Sequence, residues 1–166
     1  MMNIQRVAKP LLMTHWQVNR AFSRRSLCVI EKSIFESEAA HVGEIRFVGE
    51  GALEGTPLFH GQSARERAID VFSQLRVWDT EHNNGLLIYL LLADRDVKIV
   101  ADRGIAAKVG ASEWEAICRT METAFGRADF EAGVVGGIKA VTKHLMKHFP
   151  ASGSGRNELT DQAVVL

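Results

Sequence analysis

The segment Leu86-Leu-Ile-Tyr-Leu-Leu-Leu-Ala93 is an unbroken apolar run of 8 residues. That is less than half of the roughly 20 residues a membrane-spanning helix needs. The polar loop Asp79-Thr-Glu-His-Asn-Asn-Gly85 precedes it and Asp94-Arg95 follows it, so it reads as a β-strand. A strand with one wet face alternates apolar and polar residues; a continuous apolar one needs cover on both faces. Helices must therefore lie above and below the sheet, which places the chain in the α/β class. The turn Asp94-Arg95 leads into a partner strand, Asp96 to Asp102. A two-residue turn there pairs Ala93 with Asp96 and Leu87 with Asp102.

The covering helices have their own signals. Ser26 stands as an N-cap before Leu27, Ile30 and Ile34, and His41-Val42-Gly43 stops that helix. A strand follows over Glu44 to Gly49, with Ile45 and Phe47 on one face and Arg46, Val48 and Glu50 on a second, less buried face. Glycines and Pro57 mark residues 51 to 62 as a loop. Ser63-Ala-Arg-Glu66 has the spacing of a capping box and opens a helix whose stripe is Ala68, Ile69, Phe72 and Leu75. Ser112-Glu-Trp-Glu115 repeats that spacing ahead of Trp114, Ile117, Met121 and Phe125, with Gly126 as the stop. Asp129 caps a last helix bearing Val134, Ile138, Val141, Leu145 and Phe149, ended by Pro150. Residues 1–25 read as an amphipathic helix with Leu12, Trp16, Val18 and Phe22 apolar. The domain proper then spans 26–150. Residues 151–166 have no hydrophobic period and are expected to be flexible or laid along the surface.

Charge narrows the function classes. Lys and Arg total 20, as do Asp and Glu, so the net charge is zero, which removes the electrostatic footprint of a dedicated nucleic-acid binder. Cys28 and Cys118 each sit in an amphipathic segment with no metal-ligand spacing around them. They are expected to be reduced and buried, which makes a cytoplasmic setting the simplest one. Leu11-Leu12-Met13 is too short for the core of a secretory signal, so none is expected.

Single motifs carry little. Glu38-Ala-Ala-His41 has di-iron spacing but one copy, and reads as a helix-end surface pair. His144 and His148 are an i, i+4 pair with no intervening Glu and read as a solvated face. Gly133, Gly136 and Gly137 within the last helix each cost about 1 kcal/mol against alanine, which close packing or a ligand beside a small-residue wall would offset. The chain holds no G-x-S-x-G elbow. The strongest constellation follows from the hairpin. The loop carrying Asp79, Glu81, Asn83 and Asn84 enters the sheet at the end where Asp102, Arg103 and Gly104 leave it, while Asp94 and Asp96 fall at the other end. Carboxylate and amide oxygens gathered in this way suit hard cations such as Ca2+ or Mg2+.

Several landmarks stand in order: the helix Ala64 to Val77, Asn84-Gly85, the apolar strand, Asp94-Arg95-Asp96, the exit Asp102-Arg103-Gly104-Ile105 and the segment Phe125-Gly-Arg-Ala-Asp-Phe-Glu-Ala-Gly133. Over residues 27–149 they resemble the TPM domain family. The resemblance implies an α/β/α sandwich around a small mixed sheet covered by helices on both faces. It also implies a divalent-cation site of acidic residues at a sheet end and the weak acid phosphatase activity proposed for a plant member. Carried onto this sequence, the metal residues are Asn84 and Asp102, with Asp79 and Asp129, and the phosphate or ligand contacts are Arg103, Gly104 and Asn83. The D-x-A-G strand with which many members begin is replaced here by the Arg-rich first helix. The expected protein is thus a small cation-binding domain with weak metal-dependent phosphatase activity. The alternative is a non-catalytic module that receives a partner protein.

Overall fold

A computed structural model describes residues 19–53, 61–153 and 156–166. The first-helix expectation for Leu12, Trp16 and Val18 lies outside them. The elements run α1 (Arg24–Glu38), β1 (Glu44–Glu50), α2 (Ala64–Gln74), β2 (Gly85–Leu91), β3 (Asp96–Ala101), a single turn α3 (Arg103–Ala106), α4 (Ala111–Gly126), α5 (Phe130–His148) and β4 (Val164–Val165). The sheet order is β3-β2-β1-β4. β1 is parallel to β2 and to β4, and β2 is antiparallel to β3, so the sheet is mixed.

All seven residues of β2 are buried, as its unbroken apolar pattern requires. Even-numbered Leu86, Ile88 and Leu90 join Ile45, Phe47 and the apolar stripes of α1, α4 and α5 in one core. Odd-numbered Leu87, Tyr89 and Leu91 meet Val48 and the Ala64, Ala68, Val71, Phe72 stripe of α2 in a second. This is an α/β/α sandwich, with α1, α4, α5 and the short α3 on one face and α2 on the other among the described residues.

Local expectations fare unevenly. The Ser63–Glu66 capping box is present in full, but Ile69 is exposed and Val71 takes its place in the stripe. Ser23, rather than Ser26, caps α1, its side chain accepting from the Ser26 N–H. The Ser112–Glu115 spacing forms no capping box, because α4 begins one residue before Ser112, with Gly110 at the N-cap. Asp129 is the N-cap of α5 but makes no side-chain cap bond. Cys28 is exposed, contrary to expectation, whereas Cys118 is half-buried and packs against the core.

Two corrections bear on the site. The hairpin turn is not two residues long: Leu91 pairs with Asp96 and Leu87 with Val100, leaving Leu92 to Arg95 as a four-residue connection. Asp102 therefore lies opposite Gly85, its N–H donating to the Gly85 carbonyl at 2.9 Å. Second, β1 has no wetter face; every residue in it is buried. Its polar face, Glu44, Arg46 and Glu50, is covered by groups the strand pattern does not contain. Glu44 accepts the Glu158 and Leu159 N–H groups at 3.0 and 3.2 Å. Arg46 donates to the Thr160 carbonyl. Glu50 is held by Arg67 and Tyr89. The C-terminal segment thus lies along the β1 edge and ends as β4.

Candidate functional site

The loop before β2 is shaped by its own hydrogen bonds. Asp79 N–H donates to Arg76 C=O and Asn83 N–H to Thr80 C=O, and both Arg76 and Asn83 take a left-handed φ, near +52° and +51°. Asn84 is wholly buried. Its N–H donates to Thr80 Oγ1, its Nδ2 to the Val42 carbonyl at 2.8 Å, and its own carbonyl accepts from Glu44 N–H. The Asn84 side chain therefore ties the loop to the start of β1 while its Oδ1 finds no hydrogen-bond partner among the described residues.

Asp102 faces this residue's neighbour across the last register pair. It caps α3, with Oδ1 accepting the Arg103 N–H at 2.7 Å, and its buried Oδ2 is again without a partner among the described residues. Gly104 N–H donates to the Asn83 carbonyl and Arg103 Nε to Asn83 Oδ1, both at 3.0 Å. A Cβ on Gly104 would lie 2.5 Å from the Asn83 carbonyl oxygen and 2.6 Å from that of His82, so only glycine allows α3 to close on the loop. Asn83, Asn84, Asp102, Arg103 and Gly104 are thus gathered at one sheet end. Asp79 is at this end but exposed. Asp129 is not part of the gathering. It follows the end of α4, which sits beside the hairpin turn, since Arg95 donates to the Gly126 carbonyl at 3.2 Å; the helix direction carries Asp129 to the opposite end of the sheet.

Hard oxygen donors define what this end can do. Two buried oxygens with no hydrogen-bond donor among the described residues, one amide and one carboxylate, fit a divalent cation better than they fit an apolar filling, because an unmatched buried polar atom costs about 1–3 kcal/mol. The charge is modest: among the described residues no group of three or more His, Cys, Asp or Glu side chains is placed to hold a metal ion. Any ion here would rely on amide and main-chain oxygens as much as on carboxylates, with the Arg103 guanidinium close by.

Comparison with known proteins shows the family and the fold. The family model for the TPM domain matches residues 20–144. The chain belongs to the TPM domain family. No curated protein matches the chain. Among solved structures, this TPM domain is similar to the BA42 protein of the psychrophilic bacterium Bizionia argentinensis, with 28% identity over 87% of this chain and 94% of that one and a TM-score of 0.77. The N-terminal domain of a protein from P. gingivalis matches at 19% identity over 78% of this chain and 82% of that one, TM-score 0.62. The N-terminal domain of the cg2496 protein from Corynebacterium glutamicum matches at 16% over 80% and 78%, TM-score 0.55; these last two speak to the fold alone.

Other polar groups in this TPM domain escaped the sequence reading. Glu38 and His41, expected at the surface, are both drawn inward. Glu38 Oε1 accepts the Ile45 N–H at 2.9 Å, and burial pushes its carboxyl up to about 9, with Glu44 and Asp161 close by. His41 is buried, its Nε2 is 2.8 Å from Ser37 Oγ, which in turn bonds Thr142, and burial pushes the imidazole down to about 4. On the other face Tyr89 donates to Glu50 at 2.5 Å and Arg67 grips the same carboxylate at 2.9 and 3.0 Å. Each group stands at a point where two segments distant in sequence meet, so no local spacing marks it. Of the histidine pair, His144 is not solvated as expected: it bonds Glu113 at 3.2 Å and stands edge-on to Trp114. Gly133 and Gly137 pack against Phe125 and Met121 of α4 rather than on the sheet, whereas Gly136 is open. Among the described residues no helix is long and apolar enough to cross a membrane.

Proposed function

We propose that this TPM domain binds a divalent cation, Ca2+ or Mg2+, at the sheet end formed by residues 79–84 and 102–104. One observation carries the reading: Asn84 Oδ1 and Asp102 Oδ2 are buried oxygens with no hydrogen-bond donor among the described residues, on the residue before Gly85 and on the residue whose N–H bonds the Gly85 carbonyl. Asn84 and Asp102 would hold the ion, with Asp79 on the same loop as the further carboxylate. A bound ion there would supply the charge to polarise a phosphoryl oxygen. Arg103, its Nε already on Asn83, would orient a phosphate, the guanidinium suiting that group's geometry. Weak phosphomonoesterase activity is the finer form of the proposal.

The test uses Asp102→Asn, since asparagine caps a helix about as well as aspartate while lacking its charge. Wild-type protein should melt at higher temperature as Ca2+ or Mg2+ is added, a ligand at 100 times its dissociation constant contributing about 2.7 kcal/mol, and D102N should not respond. Amide shifts should centre on residues 79–84 and 102–104. No melting response to either ion, or shifts confined to Asp94–Asp96, would overturn the site. For the phosphatase reading, turnover of a generic phosphomonoester must vanish with chelator and with D102N; turnover indifferent to both would remove it.

A further inference from the structure

A concave site that shares no residue with the loop end lies along the outer edge of β3. It is a cleft of about 720 Å³ between α2 and α4, within the range of small-molecule sites. Its floor is the β3 edge itself and its walls include Val109, Trp114 and Cys118.

An open strand edge would ordinarily invite another strand. Here side chains already engage it. Arg65 reaches over from α2 to donate to the Ile99 carbonyl at 2.9 Å, and Glu122 of α4 accepts the Val97 N–H at 3.2 Å. With these backbone groups engaged, an added strand would have to displace two side chains from opposite walls, which disfavours a peptide strand as occupant.

Two donors in the cleft have no partner or only a neutral one. Trp114 is 7% exposed and its indole Nε1–H has no acceptor among the described residues. Of the carboxylates, Glu122 accepts from Val97, and Glu115 is exposed and charge-paired with Arg119 at 3.9 Å. Lys98 is paired with Asp96 at 2.6 Å. Arg65 lines the cleft with its guanidinium anchored on a neutral carbonyl and with no ion pair to a carboxylate among the described residues. The cleft thus holds one donor without an acceptor, the Trp114 indole N–H, and one cation bonded only to a neutral carbonyl, alongside the apolar side chains of Val97, Ile99 and Val109.

We infer that this cleft binds a small amphipathic carboxylate, its apolar body against β3 and α4 and its carboxylate on Arg65 and the Trp114 indole N–H. The inference is independent of the cation site, since none of these residues belongs to it.

The experiment follows amide shifts of the full chain titrated with 4-phenylbutyrate, 4-phenylbutanol and 4-phenylbutylamine, three probes of one shape and three charges. The carboxylate should saturate shifts across residues 97–101 and 109–119 and bind roughly tenfold tighter than the alcohol, as a hydrogen bond to a charged group implies. The amine should bind most weakly. R65Q should bring the carboxylate to the alcohol's affinity without changing the alcohol's, and R65K should recover part of the difference; W114F should weaken the carboxylate alone. Equal affinity for all three probes, shifts centred elsewhere, or no saturable shift with any probe would overturn the inference. A loss of equal size for all three probes in R65Q, the uncharged alcohol included, would mark Arg65 as structural and equally refute it.

Discussion

Replacing Glu38 by Gln should remove a pH-dependence of folding that the wild-type chain carries. In the unfolded chain this carboxyl ionises near its ordinary 4.5, whereas burial under the C-terminal segment, beside Glu44 and Asp161, holds it protonated up to about 9. The folded state thus keeps a proton that the unfolded state has lost. Stability is complete below about 4.5 and falls as pH rises toward 9, with a limiting slope of about 1.4 kcal/mol per pH unit. His41 acts in the opposite sense at lower pH. Its imidazole is pushed down to about 4, so its contribution is complete above 6.5 and lost as pH falls toward 4. Between pH 7 and 8.5 His41 is silent and the carboxyl dominates. The limiting slope over that interval gives about 2 kcal/mol, and water reaching a half-buried carboxyl reduces it to about 1 to 2 kcal/mol. Glutamine keeps an oxygen for the Ile45 N–H and offers an amide to Asp161 with no charge to desolvate. Urea unfolding of both proteins at pH 7 and 8.5 is the assay. The wild type should lose about 1 to 2 kcal/mol more than E38Q over that interval. Parallel losses would show that Glu38 is ionised in the folded protein and that the C-terminal segment does not bury it as described.

Two further predictions follow from single contacts. A Cβ on Gly85 would stand 1.8 Å from the Val77 carbonyl oxygen while one on Gly136 would touch nothing within 4 Å, so G85A should cost about 3 kcal/mol or more by thermal melting and G136A should stabilise α5 by up to about 1 kcal/mol; equal effects would contradict the backbone placement. Cys28 is exposed, and burial pushes the Cys118 thiol up to about 11, so at pH 8 a disulfide reagent should label Cys28 promptly and Cys118 orders of magnitude more slowly, its thiolate fraction being about one in a thousand; two equal fast phases would refute this.

The sequence by itself determined the sandwich. An apolar run too short to span a membrane forces two-sided cover of a strand, and that follows from β2's composition alone, whatever packs upon it. The Ser63–Glu66 capping box was equally legible, since both of its bonds close within four residues. So was the gathering of Asn84 with Asp102, because a hairpin brings those ends together whether its connection holds two residues or the four observed. The register itself was not legible, as turn residues alone do not state how many strand pairs form before the chain reverses. Asp129, named with the site by the resemblance, follows the end of α4 beside the hairpin turn, a placement set by which way α4 runs across the sheet. The tertiary structure alone decided the environment of Glu38, Glu44, Arg46 and His41. Their burial depends on Glu158, Thr160, Asp161 and α5, more than a hundred residues away in sequence. Desolvation is set by whatever covers a group, and no local pattern encodes a cover supplied from so far along the chain.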